Sequence, residues 1–551
     1  MNESNILIKN SFGWSFHNDE WGSLWFKGFI YNENKVKDLI KTLRNLTEAD
    51  DQSLIQEFLM NLDGNFSFVV KTNLMTFAAV DKIRSIPIFY VTRANEILIT
   101  DQPESVLGQL NNNEIQLNLD AELMLRMSGY CTGNETLLTG LSQLQPGEYL
   151  HLYDDNLVIQ SYYTYRPFLA DQTMLRASLK TSLTEITLNI LKKIIHSANG
   201  RMIVIPLSGG YDSRVIVSGL FHLEYKNVKC FSYGQKNNFE SKISEMVADH
   251  LGYPWKFIEL THKIIQNDYV SDKHNDYLSF SNTFSSVQVE HEFSAVRLLK
   301  ESNWVSDDAI FINGMSGDFL TGSHIPKILQ DRSYSLSGLQ RKDQVLNALF
   351  DQHYSLWDSL KSSRNKEIVF NNLWNEIKKE SNGLPVDSNN DFGLYEFSEF
   401  KNRQTRYVIT VQRVYEFFGY DWRLPLWDRE YLNFWEKIQL THKIDRNLFI
   451  EMVKDNDWGG VWSLQYPVPY LTPKWIGFIR YTCKIPFVLF GRKKWKLFDK
   501  RFFYYWTEIL CKMGVVPYYK VVLNTKGYRN AVSWLSENYV KKVRSMISNI
   551  K

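Results

Sequence analysis

Ser208, Asp212 and Ser213 stand within six residues of one another, separated by Gly209, Gly210 and Tyr211, in the run MIVIPLSGGYDSRVIVSGLF (202–221). Two hydroxyls and a carboxylate among small residues suit the binding of an oxyanion. Glycine admits positive φ and lets backbone N–H groups reach a phosphate with no side chain in the way. The serine hydroxyls add donors. Asp212 would repel a bare phosphate, so its presence makes sense chiefly where a Mg2+ lies between the two. The spacing is not that of a Walker A loop, which needs G-x-x-x-x-G-K-[ST]. A plainer reading also stands: a tight strand-to-helix turn whose Ser and Asp cap the helix.

Both readings need a strand before the loop and a helix after it. The apolar run 202–206 supplies the strand, and a second apolar run reaches Leu223. A further strand, VKCFSYG (228–234), and a helical stretch, FESKISEMVADHLG (239–252), follow. Ahead of the loop, Leu175, Leu179, Leu183, Ile186, Ile190 and Ile194 form one helical stripe, with Gly200 just past its end as a stop. Strand, loop, helix, strand, helix predicts a parallel α/β sheet. In such sheets ligands bind beyond the carboxyl ends of the strands, facing helix N-termini whose N–H groups attract anions.

Residues 1 to about 165 have a different texture. GNFSFVVKT (64–72), TFAAVD (76–81), IPIFYVT (86–92), EILITD (96–101) and GEYLHLYDD (147–155) read as strands, with a helix at 50–62. The change falls at YRPFLADQ (165–172), and the chain beyond the second strand–helix pair is mostly helical in pattern. Lys+Arg 63 against Asp+Glu 61 leaves a net charge of +2, so no global field points to nucleic acid. The four cysteines are widely spaced, which disfavours a zinc site or a disulfide framework. The first residues lack the features of a signal peptide, and no apolar run approaches the ~18 residues of a membrane span. A soluble, cytoplasmic protein is expected.

Two other stretches carry charge or potential ligands. VEHEF (289–293) sets His291 between two glutamates without a third ligand, and reads as an exposed or core-edge helix rather than a metal site. Residues 481–506 join an apolar run to Arg492, Lys493, Lys494, Lys496, Lys500 and Arg501. Contact with anionic lipid is one reading; the preferred one is a solvated basic face over an aromatic core edge.

SGGYDS resembles the S-G-G-x-D-S pyrophosphate loop of the N-type ATP pyrophosphatases. Further stretches resemble the asparagine synthetase branch of that superfamily: FSYGQKNNFESKISEMVADHLGYPWKFIEL (231–260), INGMSGDFLTGSH (312–324), WRLPLWDREYLNFW (422–435) and HKIDRNLFIEMV (442–453). GNFSFVV, VDKIRSIPIFYV and GYCTGNETLLTGLSQLQPGEYL are similar to the family's N-terminal glutaminase domain. The resemblance implies two domains. Residues 1–168 would be a layered, β-rich, Ntn-type amidotransferase-like domain, and 169–551 a parallel-sheet ATP-pyrophosphatase domain with a helical extension.

It also implies ATP and Mg2+ as cofactors, a carboxylate activated as an acyl-adenylate, and attack by ammonia or an amine. Residue by residue, Ser208, Gly209, Gly210, Asp212 and Ser213 would hold pyrophosphate and Mg2+, with Asp318 as the second metal-associated carboxylate. Leu207, Tyr233 and Gly314 match positions flanking the adenosine. Arg446 falls where the family has a Lys on departing pyrophosphate, and Lys526 matches a late lysine before Gly-[FY].

The departures fall at the nitrogen end. Position 2 is Asn where the family's mature N-terminal cysteine would stand, and the first cysteine is Cys131. Glutamine hydrolysis is therefore not expected, and the nitrogen would come from solution or a separate glutaminase. Met315 replaces the acidic residue of S-G-[DE]-G and Phe319 the Glu after the Asp; a Met cannot act as a base. The acceptor would be a small-molecule or sugar carboxylate, as in surface-polysaccharide synthesis. An amide-ring-closing cyclase of the β-lactam or lasso-peptide type and a non-catalytic ATP-binding scaffold remain as alternatives.

Overall fold

The computed structural model describes residues 3–8, 13–31, 38–48, 51–93, 96–109, 115–153, 156–170, 175–330, 336–466 and 474–550. Several sequence readings fall partly outside these residues. They are the residue at position 2, the start of the 50–62 helix, the end of the 147–155 strand and the end of the 165–172 boundary.

Among the described residues, the first part of the chain holds ten strands: β1 (Glu3–Leu7), β2 (Ser15–Asp19), β3 (Gly22–Ile30), β4 (Gly64–Lys71), β5 (Met75–Val80), β6 (Phe89–Arg93), β7 (Glu96–Thr100), β8 (Leu141–Gln143), β9 (Glu148–Tyr153) and β10 (Asn156–Ser161). They form a six-stranded antiparallel sheet in the order β10-β9-β5-β4-β3-β2 and a four-stranded sheet in the order β1-β7-β6-β8. Burial in β5 is continuous rather than alternating, so both its faces are covered. Phe66, Phe68 and Phe77 of one sheet share a core with Ile86, Ile88, Tyr90, Ile97 and Ile99 around the other.

The strand expected from Ile86 begins at Phe89. Asp81 is the reason. Its Oδ1 accepts from the Ile83 and Ser85 N–H groups at 2.9 and 3.2 Å, and its Oδ2 from the Phe66 N–H at 2.9 Å. That draws the chain into a buried turn in which Arg84 takes a left-handed φ of 52°.

The second part is built on α1 (Arg176–Ala198), β11 (Ile203–Pro206), α2 (Tyr211–His222), β12 (Val228–Gly234), α3 (Phe239–Leu251), β13 (Trp255–Glu259), α4 (Phe293–Glu301), β14 (Ile310–Ile312), α5 (Asp391–Ser398), β15 (Asp421–Arg423), α6 (Asn447–Asn456), α7 (Lys474–Lys484), α8 (Arg492–Phe502) and α9 (Ala531–Ile550). The five strands form one parallel sheet in the order β13-β12-β11-β14-β15. Ile203, Val204 and Ile205 are wholly buried, as are Ile310, Phe311 and Ile312. Such unbroken apolar strands are what a parallel sheet covered on both faces requires.

Leu179, Leu183, Ile190 and Ile194 of the predicted stripe are buried along α1. Leu175 is exposed because it is the residue before the helix, not part of it. Asn199 ends α1 in a left-handed conformation at φ 48°, with Gly200 following at φ 79°.

One sequence reading is corrected and another is extended. Val289 to Glu292 are not helical: α4 starts at Phe293. The Tyr277 hydroxyl donates to the Val289 carbonyl at 2.7 Å, and Glu290 Oε2 lies 3.2 Å from His274 Nε2, contacts that hold an extended segment. In the 481–506 stretch the basic side chains of Arg492, Lys493, Lys494 and Lys496 are exposed beside an aromatic core, as expected. The stretch folds as α7 and α8 around a small core of its own, with many apolar side chains left exposed.

Candidate active site

The sheet order changes direction around β11, whose neighbours are β12 and β14. The loops after β11 and β14 therefore leave adjacent strands at the same carboxyl edge, the crevice where open α/β sheets bind ligands. The Leu207 N–H donates to the Phe231 carbonyl at 2.8 Å, which lays the first loop toward β12. The loop then folds on itself. The Ser208 N–H donates to Ser213 Oγ at 3.0 Å, the two serine hydroxyls lie 3.1 Å apart, and the Gly210 N–H donates to Ser208 Oγ at 3.2 Å. Gly210 is the last extended residue before α2. Arg214 braces the loop from behind through Gly209 O at 3.0 Å and Val461 O at 3.3 Å.

The β14 loop lies directly on this structure. A Cβ at Gly314 would stand 2.5 Å from the Ser213 nitrogen, and one at Gly317 would stand 2.7 Å from the Asp212 carboxyl carbon. Between them Ser316 adopts a left-handed φ of 64° and donates from Oγ to Gln404 Oε1 at 2.7 Å.

Charged side chains converge at the junction. Arg446, just ahead of α6, donates from Nη2 to Asp212 Oδ1 and from Nε to Thr321 Oγ1, the latter at 2.7 Å. Arg446 and its neighbour Asp445 both hold left-handed φ, at 60° and 52°. Burial pushes the Asp212 carboxyl up to about 6; Arg446 pulls it back and nearby Asp318 adds to the rise. Asp318 is held below the usual carboxylate range. Burial works against that, but hydrogen bonding and charge from His324 and the charge of Arg446 outweigh it.

His324 Nε2 is 3.0 Å from Asp318 Oδ2, and its Nδ1 is 2.6 Å from Oε1 of the buried Glu399. Burial opposes the imidazolium, yet these two carboxylates lift it to about 10. Glu399 also accepts from Gln404 Nε2 at 2.8 Å and Arg403 Nη1 at 3.1 Å.

Beside the loop opens a cavity of about 220 Å3, lined by Leu207, Ser208, Gly210, Asp212, Ser213, Tyr233, Gly314 and Met315. Gly209, Asp318 and Arg446 stand behind or beside this wall through the contacts above. Sequence reasoning missed Glu240, Glu292 and Asn313, which also line it, and took His291 out of consideration. The Tyr233 hydroxyl donates to Glu292 Oε1 at 3.2 Å and the Tyr415 hydroxyl to Oε2 at 2.5 Å. Burial raises the Glu292 carboxyl, against these two donors, and lowers His291 to about 3, with Lys512 adding to that fall. The VEHEF stretch was the available signal, but nothing in its spacing pointed toward a loop eighty residues earlier.

Lys526 is not brought to the cavity wall. Its Nζ lies 3.5 Å from Glu537 Oε1 and over the Trp357 ring, because Tyr528 and Trp357 tie its loop to another part of the chain. Cys131 is wholly buried, and burial pushes its thiol up to about 12. A thiol in that state is no nucleophile at neutral pH.

Fold and site together define a parallel-sheet α/β domain that sets two carboxylates and an arginine against the N-terminus of α2. Residues 198–450, a little under half of the chain, match the asparagine synthase family model. No curated protein matches the sequence. Among solved structures, one titled as the allosteric regulatory enzyme of purine biosynthesis shares 11% identity over 44% of this chain and 62% of its own, with a TM-score of 0.18. Glutamine phosphoribosylpyrophosphate amidotransferase from B. subtilis, complexed with ADP and GMP, shares 11% over 54% of this chain and 63% of its own, with a TM-score of 0.16. The chain thus spans less than two thirds of either, and likenesses this slight carry no argument here.

Proposed function

We propose that the protein is an ATP-dependent, amide-forming ligase that activates a carboxylate as its acyl-adenylate. The observation that carries this reading is the meeting of Asp212, Asp318 and Arg446 at the start of α2, beside the cavity lined by Leu207, Tyr233 and Gly314.

The residues fit Mg2+ and a triphosphate. Mg2+ is usually held by one or two carboxylates together with substrate phosphates. Asp212 accepts from Arg446 on Oδ1 and takes a backbone hydrogen bond from Asp318, while Asp318 keeps a negative charge secured by His324. A bound Mg2+ would offset the mutual repulsion of the two carboxylates and neutralise phosphate charge. Ser208, Gly210 and Ser213 would exchange their mutual hydrogen bonds for bonds to phosphate oxygens, and Arg446 would supply positive charge for departing pyrophosphate. Leu207, Tyr233 and Gly314 would flank the adenosine.

In the reaction a carboxylate oxygen bonds to the α-phosphorus and pyrophosphate leaves. The nitrogen of ammonia or an amine then bonds to the acyl carbon, AMP leaves, and the nitrogen gives up a proton. The buried, high-pKa Cys131 supports a division in which residues 1–168 keep an amidotransferase-like shell without hydrolysing glutamine and 169–551 carry the ligase. The acceptor class we favour is a small-molecule or sugar carboxylate.

Exchange of labelled pyrophosphate into ATP, run over a panel of carboxylates, tests the reading. Exchange that disappears in Asp212→Asn and Asp318→Asn is the expected result. ATP binding without exchange on any substrate, or glutamate release from glutamine by the pure chain, would overturn the corresponding half of it.

A further inference from the structure

Residues 474–506 fold as α7 and α8, joined through a short helical turn at Phe487–Phe490. The hairpin has its own core: Ile476, Trp495 and Phe503 are buried against Cys483, Phe487 and Phe498. Arg480 Nη2 crosses between the helices to Asp499 Oδ2 at 2.7 Å. This core uses few of the apolar side chains available. Phe478, Tyr481, Val488, Leu489, Phe490 and Leu497 remain 58–89% exposed, with Val488 and Leu489 the most open at 83% and 89%.

Charge is concentrated on the same element. Nine Lys and Arg residues fall in 474–506 against the single acid Asp499, in a chain whose net charge is +2, so the rest of the chain is net acidic. Arg492, Lys493, Lys494 and Lys496 follow the apolar tip directly and are all exposed. The one acid is already engaged by Arg480.

An apolar tip with a basic shoulder matches the two layers of one kind of partner. The acyl–headgroup boundary of a bilayer accepts bulky apolar side chains, and anionic headgroups attract the cations beside them. Helices of 11 residues are about 16 Å long, far short of a ~30 Å hydrocarbon core, so the element would lie in the interface and not span it. No helix among the described residues is long and apolar enough to cross a membrane. A second copy meeting this face symmetrically would set two basic clusters against each other, so charge disfavours that occupant.

We propose that the 474–506 hairpin docks the protein on an anionic lipid bilayer, with Val488, Leu489 and Phe490 entering the interface and Arg492, Lys493, Lys494 and Lys496 on headgroup phosphates. The base of the hairpin is fastened beside the active-site cavity: Gln235 Nε2 donates to Glu508 O at 2.7 Å, and Leu510 lines the cavity. Docking would hold that wall close to the membrane.

Flotation of the full chain with phosphatidylcholine vesicles containing roughly one-third phosphatidylglycerol, against pure phosphatidylcholine, tests this. Binding to the anionic vesicles, weakened by salt and accompanied by a blue shift of tryptophan emission from the exposed Trp475, is expected. The double variants Val488→Glu/Leu489→Glu and Lys493→Glu/Lys494→Glu should each bind at least about tenfold more weakly. All these side chains are exposed, so both variants should keep the parent's circular dichroism and melting temperature. Absence of binding to anionic vesicles, or equal binding by the folded V488E/L489E variant, would overturn the proposal. So would light scattering that finds a dimer converted to monomer by V488E/L489E with no vesicle binding, since the face would then belong to a second copy.

Discussion

Arg446 makes two directed contacts that a lysine could not reproduce together: Nη2 to Asp212 and Nε to Thr321. Arg446→Ala should therefore lower the rate of pyrophosphate exchange by about 100- to 1,000-fold, the usual cost of one lost charge-stabilising donor. Arg446→Lys should recover part of that loss. Equal rates for the two variants would show that position 446 acts only in folding. A second residue-scale prediction concerns Glu292, whose carboxylate is buried and accepts one tyrosine hydroxyl on each oxygen. Tyr233→Phe leaves one of those oxygens without its donor and should cost about 1–3 kcal/mol in urea unfolding. Placing Glu292→Gln in the same background should make the Tyr233→Phe cost smaller, because a neutral amide needs the donor less.

At the scale of elements, the β11 and β14 loops meet backbone to backbone, and glycine is what allows it. Ala at 314 would bring a Cβ within 2.5 Å of the Ser213 nitrogen, in a place walled by main chain that has little room to move. Gly314→Ala should thus cost stability by about 1–3 kcal/mol and displace the loop that carries Asp212. Nucleotide affinity, read by titration calorimetry, should fall while far-UV circular dichroism stays close to the parent's. Unchanged nucleotide affinity would remove Gly314 from the site.

At the scale of the molecule, the two parts of the chain are joined by ion pairs of varying burial as well as by apolar surface. Lys193 Nζ reaches Asp63 at 3.0 Å and Asp428 at 2.7 Å, and Lys27 Nζ lies 3.0 Å from Glu416 Oε2, which Arg413 also contacts at 2.8 Å. From the far end, Arg544 of α9 reaches back to Glu122 at 2.6 Å. Burial works against the Glu416 carboxylate, but Lys27 and Arg413 hold its pKa below the ordinary 4.5. A depressed acid contributes stability that is present above 4.5 and is lost as pH falls through its folded value. Glu416→Gln, which leaves Lys27 and Arg413 buried without their anion, should lower stability near neutrality by about 3–5 kcal/mol. That deficit should shrink steadily as pH drops below 4.5. Denaturant unfolding at a series of pH values checks this, and a deficit independent of pH would refute the sign.

The sequence by itself determined what depends on neighbours along the chain. The SGGYDS loop between an apolar strand and a helix, the stripe of α1 and the buried runs of β4, β5 and β12 follow from local periodicity and small-residue spacing. The family motifs carried Asp318 and Arg446 as well, and the structure places both beside Asp212. What tertiary structure decided is what depends on strand order and long-range charge. Placing β14 next to β11 presses Gly314 onto Ser213, and no local pattern reports which strands are neighbours. The same holds for Glu292, brought to the cavity by two tyrosines 59 and 123 positions away, and for Glu399, which reaches Asp318 through His324. It holds in reverse for Lys526, whose local motif matched but whose loop is drawn away by Trp357 and Glu537. Periodicity shows which face of an element is apolar; whether anything covers that face, as on the 474–506 hairpin, is settled by the packing of the whole chain.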